Sequence, residues 1–181
     1  MAADDAFNYG ATGATIGHEI SHGFDDFGSR YDGDGKLHDW WTAADRRAFE
    51  RLGRQLAKQF DAYEPVAGHR INGRLTLGEN IADLSGLEIA FKAYHASLGG
   101  QPAPVIGGLT GDQRFFMAYA MSWREKVRDE RTLQLLTTDP HAPAAFRANG
   151  AVMNLDGFHG AFATRPGDRL YKKPANRIHI W

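Results

Sequence analysis

Among the side chains here that could do chemistry, the densest group is His18-Glu19-Ile20-Ser21-His22. Placed on a helix, its two imidazoles lie one turn apart on the same face and can reach a single ion. The glutamate between them projects to the side of that ion. A divalent metal such as zinc lowers the pKa of a bound water toward neutrality, and a neighbouring carboxylate can then take the proton. The pattern would generate a hydroxide-like nucleophile. A five-residue pattern also arises by chance from ordinary solvated or core histidines, so this reading depends on what else the chain supplies.

A catalytic zinc ion needs a third protein ligand and one open position. The metzincin arrangement would place a glycine three residues and a histidine six residues after the second histidine, but Asp25 and Gly28 stand there, which excludes it. The gluzincin arrangement draws a glutamate from a separate helix, and LGENIADLSGL offers Glu79 at the start of one. Asp83 lies four residues on, hence on the same face. Ligating histidines give their remaining ring N–H to a carboxylate, and Asp83 is the candidate. Taken alone, Glu79 and Asp83 read equally well as an acidic helix start favoured by the helix dipole. Paired with His18 and His22 they favour the ligand reading.

The elements that must position these groups are mostly helical. Tyr9, Ile16, Ile20 and Phe24, set among small residues, predict a closely packed helix from Ala6 to Phe27, interrupted by four glycines. SRYDGDGKLHDWW follows as a turn or short hairpin, with Trp40 and Trp41 expected to anchor it to the core. Asp32-Gly-Asp34-Gly has a calcium-loop look, but Lys36 stands at the third ligand position and no glutamate closes the frame, so turn chemistry is the better reading. Thr42 and Asp45 mark the start of a charged amphipathic helix to Tyr63. EPVAGHRINGRLTLGEN reads as a loop that could hold one short strand pair. Leu84, Leu87, Ala90, Phe91 and Tyr94 predict a helix from Glu79 to Leu98, and another runs from Thr110 to Val127. Shorter helices are expected near 130–137, 143–149 and 154–162. The chain thus reads as a mainly α, gluzincin-like module with little β structure, and its length predicts a single domain over residues 1–181.

With no cysteine among 181 residues, disulfides, thiolate metal sites and a Cys nucleophile are excluded, so a transition-metal site must be built from carboxylates and the eight histidines. His38, His69, His95, His159 and His179 lack ligand spacing. A formal charge of −1 suggests neither nucleic acid nor an anionic membrane as partner. The basic end RLYKKPANRIHIW reads as a tail docked by its final aromatic, and no apolar run approaches a membrane span, so the chain reads as soluble as written.

Five segments, in order, carry a specific resemblance: HEISHGFDDFG, YDGDGKLHDWWT, GENIADLSGL, HAPAAFR and the closing Trp181. Together they resemble the C-terminal catalytic segment of neprilysin-family zinc endopeptidases, across nearly the whole chain. The resemblance implies one Zn2+ held by His18, His22 and Glu79, with Glu19 as general base and Asp83 as partner of a ligand histidine. It also implies His141 as the donor to the tetrahedral oxyanion and Arg147 as the group binding a substrate carbonyl beyond the scissile bond. Trp123 and Ser122 fall where the family lines the pocket for the first side chain after the cut. Without the resemblance, His141 and Arg147 would be read as surface residues.

The implied substrate is an oligopeptide. Family members are longer, often secreted or membrane-anchored, with an N-terminal portion covering the active site and an upstream edge strand that pairs with the substrate backbone. Neither segment is in this sequence, so a separately supplied N-terminal half is an expected partner. The absence of the cysteines of animal members suits a bacterial relative. The rival expectation is an inactive zinc- or peptide-binding fragment.

Overall fold

In a computed structural model, residues 4–181 are described. The chain enters through α1 (Asp5–Asn8), a π-helical turn (Tyr9–Gly13) and α2 (Ala14–Ser21), which run on without a break in right-handed backbone. A single 3-10 turn, His22–Phe24, ends the run. The expected helix to Phe27 therefore stops at Phe24. Asp25 turns extended because its carboxylate accepts the backbone N–H groups of Phe27 and Gly28, which competes with helix continuation.

Helix α3 (Ala43–Asp61) begins at Thr42, whose hydroxyl accepts from the Asp45 N–H, and it buries Phe49, Leu56 and Phe60 along one stripe. Helix α4 (Leu77–Ser97) is buried on several sides, with Ile81, Leu84, Leu87 and Tyr94 almost fully enclosed together with the polar Asn80 and Asp83. It is the central strut. Helix α5 (Gly111–Ser122) opens with a capping box formed by Thr110 and Gln113. It ends at Ser122 rather than Val127, because Trp123 leaves helical geometry and lays its ring beneath the Arg147 guanidinium, 4.2 Å from the ring centre. Helices α6 (Asp129–Thr138), α7 (Ala144–Val152) and α8 (Asp156–Phe162) complete the set. Among the described residues there is no strand. Isolated bridges pair Tyr31 with Leu37, Val66 with His69 and Ile106 with Leu109, so the strand pair considered for the 64–80 loop is reduced to one bridge.

The crossing of α2 and α4 matters most for the site. A Cβ placed on Gly17 would sit 2.5 Å from the Gly86 carbonyl oxygen, and one on Gly86 would fall into the backbone of Gly17 and His18. Only two glycines let the backbones approach this closely. Gly17, one of the glycines that interrupted the sequence pattern, and Gly86 thus bring His18 within reach of Glu79 and Asp83.

The hairpin and tail differ from expectation in detail. Trp41 packs on Phe49 and Trp181, but Trp40 is half exposed and donates its indole N–H to the Tyr31 carbonyl, so one tryptophan anchors rather than two. Asp32 caps its turn by accepting from the N–H groups of Asp34 and Lys36. The tail docks through buried Ile178 and Ile180, with Trp181 stacked on Phe49.

Candidate metal centre

Two carboxylates orient the histidines of α2. His18 Nδ1 lies 2.8 Å from Asp83 Oδ1, and His22 Nδ1 lies 2.7 Å from Asp25 Oδ2. A ring whose Nδ1–H is given to a carboxylate presents a bare Nε2 lone pair. Here the two Nε2 atoms face each other at 3.1 Å, with Glu79 Oε2 3.3 Å from that of His18 and Glu79 Oε1 3.6 Å from that of His22. Ligand atoms ~2.1 Å from one ion at the tetrahedral angle stand about 3.4 Å apart. The spacing and donor chemistry therefore fit a zinc-sized cation, and the three residues form a group able to hold one.

Electrostatics agree. Burial alone would lower the His18 pKa, but the hydrogen bonds to Asp83 and Glu79 and the Asp83 charge outweigh it and raise it to about 9. In the metal-free protein a proton stands in for the cation. Burial would raise the Glu79 carboxyl, yet the hydrogen bond from His18 and the charges of His141, Arg147 and His22 hold it below its ordinary value.

Glu19 is exposed and lines a cavity of about 190 Å³ shared with His18, Asp83, Tyr119, Ser122, Trp123, His141 and Arg147. His141 reaches over from the turn before α7, its Nε2 3.2 Å from Glu79 Oε2 and its Nδ1 2.7 Å from Asp139 Oδ1. Arg147 is buried on α7. Its Nε and Nη2 bind both oxygens of Asp83 at 2.7 and 2.8 Å, and Nη2 also lies 3.2 Å from Glu79. Asp83 thus ties a histidine of α2 to an arginine of α7 through Nε and Nη2.

All nine side chains singled out in the sequence converge here: His18, Glu19, His22, Glu79, Asp83, Ser122, Trp123, His141 and Arg147. Three others were missed. Asp25 entered the sequence argument only as a residue excluding the metzincin pattern, although a carboxylate three residues after a ligand histidine was a signal for its orienting role. Asp139, two residues before His141, carries a similar signal. Tyr119 carries none beyond its place on the apolar stripe of α5.

The fold and this site together define a helical metallopeptidase-type module, with two histidines and a glutamate converging beside an open cleft. The family model described as peptidase family M13 matches residues 1–178. The chain belongs to that family. It is similar to human endothelin-converting enzyme 1, 38% identical over 97% of this chain and 23% of that protein, and to Neprilysin-11 of Caenorhabditis elegans, 44% identical over 84% of this chain and 19% of that protein. Among solved structures, the zinc metalloprotease Zmp1 of Mycobacterium tuberculosis in complex with inhibitor superposes with a TM-score of 0.97 at 50% identity, over 99% of this chain and 28% of that one. The chain spans about a quarter of the length of such relatives. No helix among the described residues is long and apolar enough to cross a membrane.

Proposed function

We propose that this chain carries the zinc-binding and water-activating part of a metalloendopeptidase that cleaves oligopeptides. The observation that carries the reading is the convergence of three ligand atoms, two of them on histidines whose far nitrogens lie 2.8 and 2.7 Å from carboxylates, beside a cleft that also holds Glu19, His141 and Arg147. His18, His22 and Glu79 would hold one zinc ion, which when bound would supply a lowered water pKa and Lewis acidity toward a carbonyl oxygen.

Glu19 takes the proton from the attacking water and passes it to the leaving amine. His141, fixed by Asp139 at Nδ1, donates from Nε2 as the imidazolium, with both ring nitrogens protonated, to the carbonyl oxygen as it gains charge. Arg147 Nη1 holds a substrate carbonyl on the leaving side, its other nitrogens locked by Asp83 and Glu79. Trp123 and Ser122 border the pocket for the first side chain after the cut. Alignment of the peptide backbone comes largely from segments outside this sequence, so the chain alone cleaves weakly and an upstream half supplied in trans raises the rate.

A peptide-library assay of zinc-loaded protein, with and without that half, tests this reading. Glu19→Gln should keep its zinc and lose about 10³-fold or more in turnover. Retained turnover would remove Glu19 as the base. A folded, zinc-loaded, complemented preparation without activity would leave a zinc- or peptide-binding remnant.

A further inference from the structure

Helix α3 carries a feature that no step of the proposed chemistry uses. Arg47, Arg51, Arg54 and Lys58 follow the spacing i, i+4, i+7, i+11, which at 3.6 residues per turn confines them to an arc of about 60°. The stripe is about 16 Å long and lies opposite the buried Phe49, Leu56 and Phe60. All four residues are exposed. Among the described residues, the one ion pair along the stripe joins Arg54 to Glu50, at 3.7 Å. The formal charge of −1 therefore averages over an uneven surface.

The cationic face continues past the helix. Arg54 lines a surface cavity of about 230 Å³ together with Arg30 and Arg74. The Arg30 guanidinium lies over the Phe27 ring, 5.2 Å from its centre, and Phe27 is itself 68% exposed. Leu75, next to Arg74, is exposed as well. Two carboxylates interrupt the face, Glu50 on the helix and Asp26 in the cavity. Asp61, at the end of the helix, is engaged by the Gly73 N–H.

We propose that α3 and this rim dock the protein on anionic phospholipid headgroups, with the helix lying parallel to the bilayer surface. A cluster of about four to eight basic residues on a helix attracts such headgroups through a field that fades within a Debye length. Exposed Phe27 and Leu75 at the edge of the cations suit a surface that turns apolar just beneath its charge. A polynucleotide fits less well. Its phosphates stand at fixed spacing, so some would be forced against Glu50 and Asp26, whereas lipids diffuse in the plane and gather around the cations. The stripe also offers no ring for a base to stack on, because the aromatic residues of α3, Phe49 and Phe60, are buried.

Co-sedimentation of the zinc-loaded chain with vesicles tests this without turnover. Vesicles of equal parts phosphatidylglycerol and phosphatidylcholine should capture the protein, and phosphatidylcholine alone should not. Salt at 1 M should release it, since charges are then screened beyond about 3 Å. Arg47→Gln/Arg51→Gln/Lys58→Gln keeps helix-favouring side chains and should lose about 100-fold in affinity, roughly fivefold for each cation removed. Arg131→Gln/Arg165→Gln/Arg169→Gln makes the same charge change at exposed positions elsewhere and should bind like the wild type. Equal losses in the two triple variants would reduce the effect to net charge and overturn the docking face. So would no capture by the anionic vesicles, capture by the neutral ones, or a short DNA duplex or polyglutamate that binds as tightly as the anionic vesicles. Each of those results leaves the metal site and the cleavage reading standing.

Discussion

The two sides of the cleft are built differently. On the metal side, His18, His22 and Glu79 are pinned from behind by Asp83, Asp25 and Arg147, with Asp83 and Asp25 both buried and the helix crossing fixed by Gly17 against Gly86. On the substrate side, Glu19 and Ser122 are exposed, His141 is half exposed, and α6 buries none of its residues. Large apolar side chains of α2 and α5, among them Ile16, Ile20, Met117 and Met121, are also exposed. Activating a water needs a few groups held to a fraction of an ångström by the two crossing helices and their neighbours. Aligning a peptide needs a longer surface.

If that contrast is right, substitutions behind the metal should cost the most. Arg147→Ala strips the buried Asp83 carboxylate of its counter-charge, so the fold should lose about 3–5 kcal/mol, read by urea unfolding. An Arg147→Ala protein with wild-type stability and only a weaker KM would make the guanidinium purely a substrate contact. Next in size, Asp83→Asn should weaken zinc binding by about 100-fold and Asp25→Asn by about tenfold, because orienting partners of ligand histidines contribute in that range and Asp25 serves the more exposed ring. Competitive chelator titration would show it. A larger loss at Asp25 would reverse the assigned weights of the two supports.

Much of this was readable in advance. His18, Glu19 and His22 declare themselves by spacing, and Glu79 with Asp83 by a period of four on a second helix, because helical geometry turns sequence separation into shared direction. The depth of α4 was less legible, since its apolar residues surround it rather than forming one stripe. The stop at Phe24 turned on a side chain of Asp25 bonding to backbone, a local competition that periodicity does not register. The pairing of Arg147 with Asp83 bridges 64 residues, and only the tertiary fold supplies it.

A smaller effect lies in the pH dependence of metal loading. Zinc must displace the proton that metal-free His18 keeps up to about pH 9, so apparent zinc affinity should climb about tenfold per pH unit until that value. In Asp83→Asn, which removes a contact holding that proton, the climb should level off lower. The same raised pKa stabilises the metal-free fold fully below the ordinary value of 6.5, and that contribution is lost as pH rises through about 9. A wild-type affinity already flat at neutrality would contradict the Asp83 contact.

The most direct test of the central claim is metal analysis of the wild type beside His22→Ala, joined to X-ray absorption at the zinc edge and a zinc-bound crystal structure. The account predicts about one zinc per wild-type chain, two imidazole nitrogens at ~2.0–2.1 Å and a Glu79 oxygen within about 2.2 Å, with little zinc retained once His22 is gone. Equal zinc content in the two proteins, or an ion seated away from His18, His22 and Glu79, would contradict it.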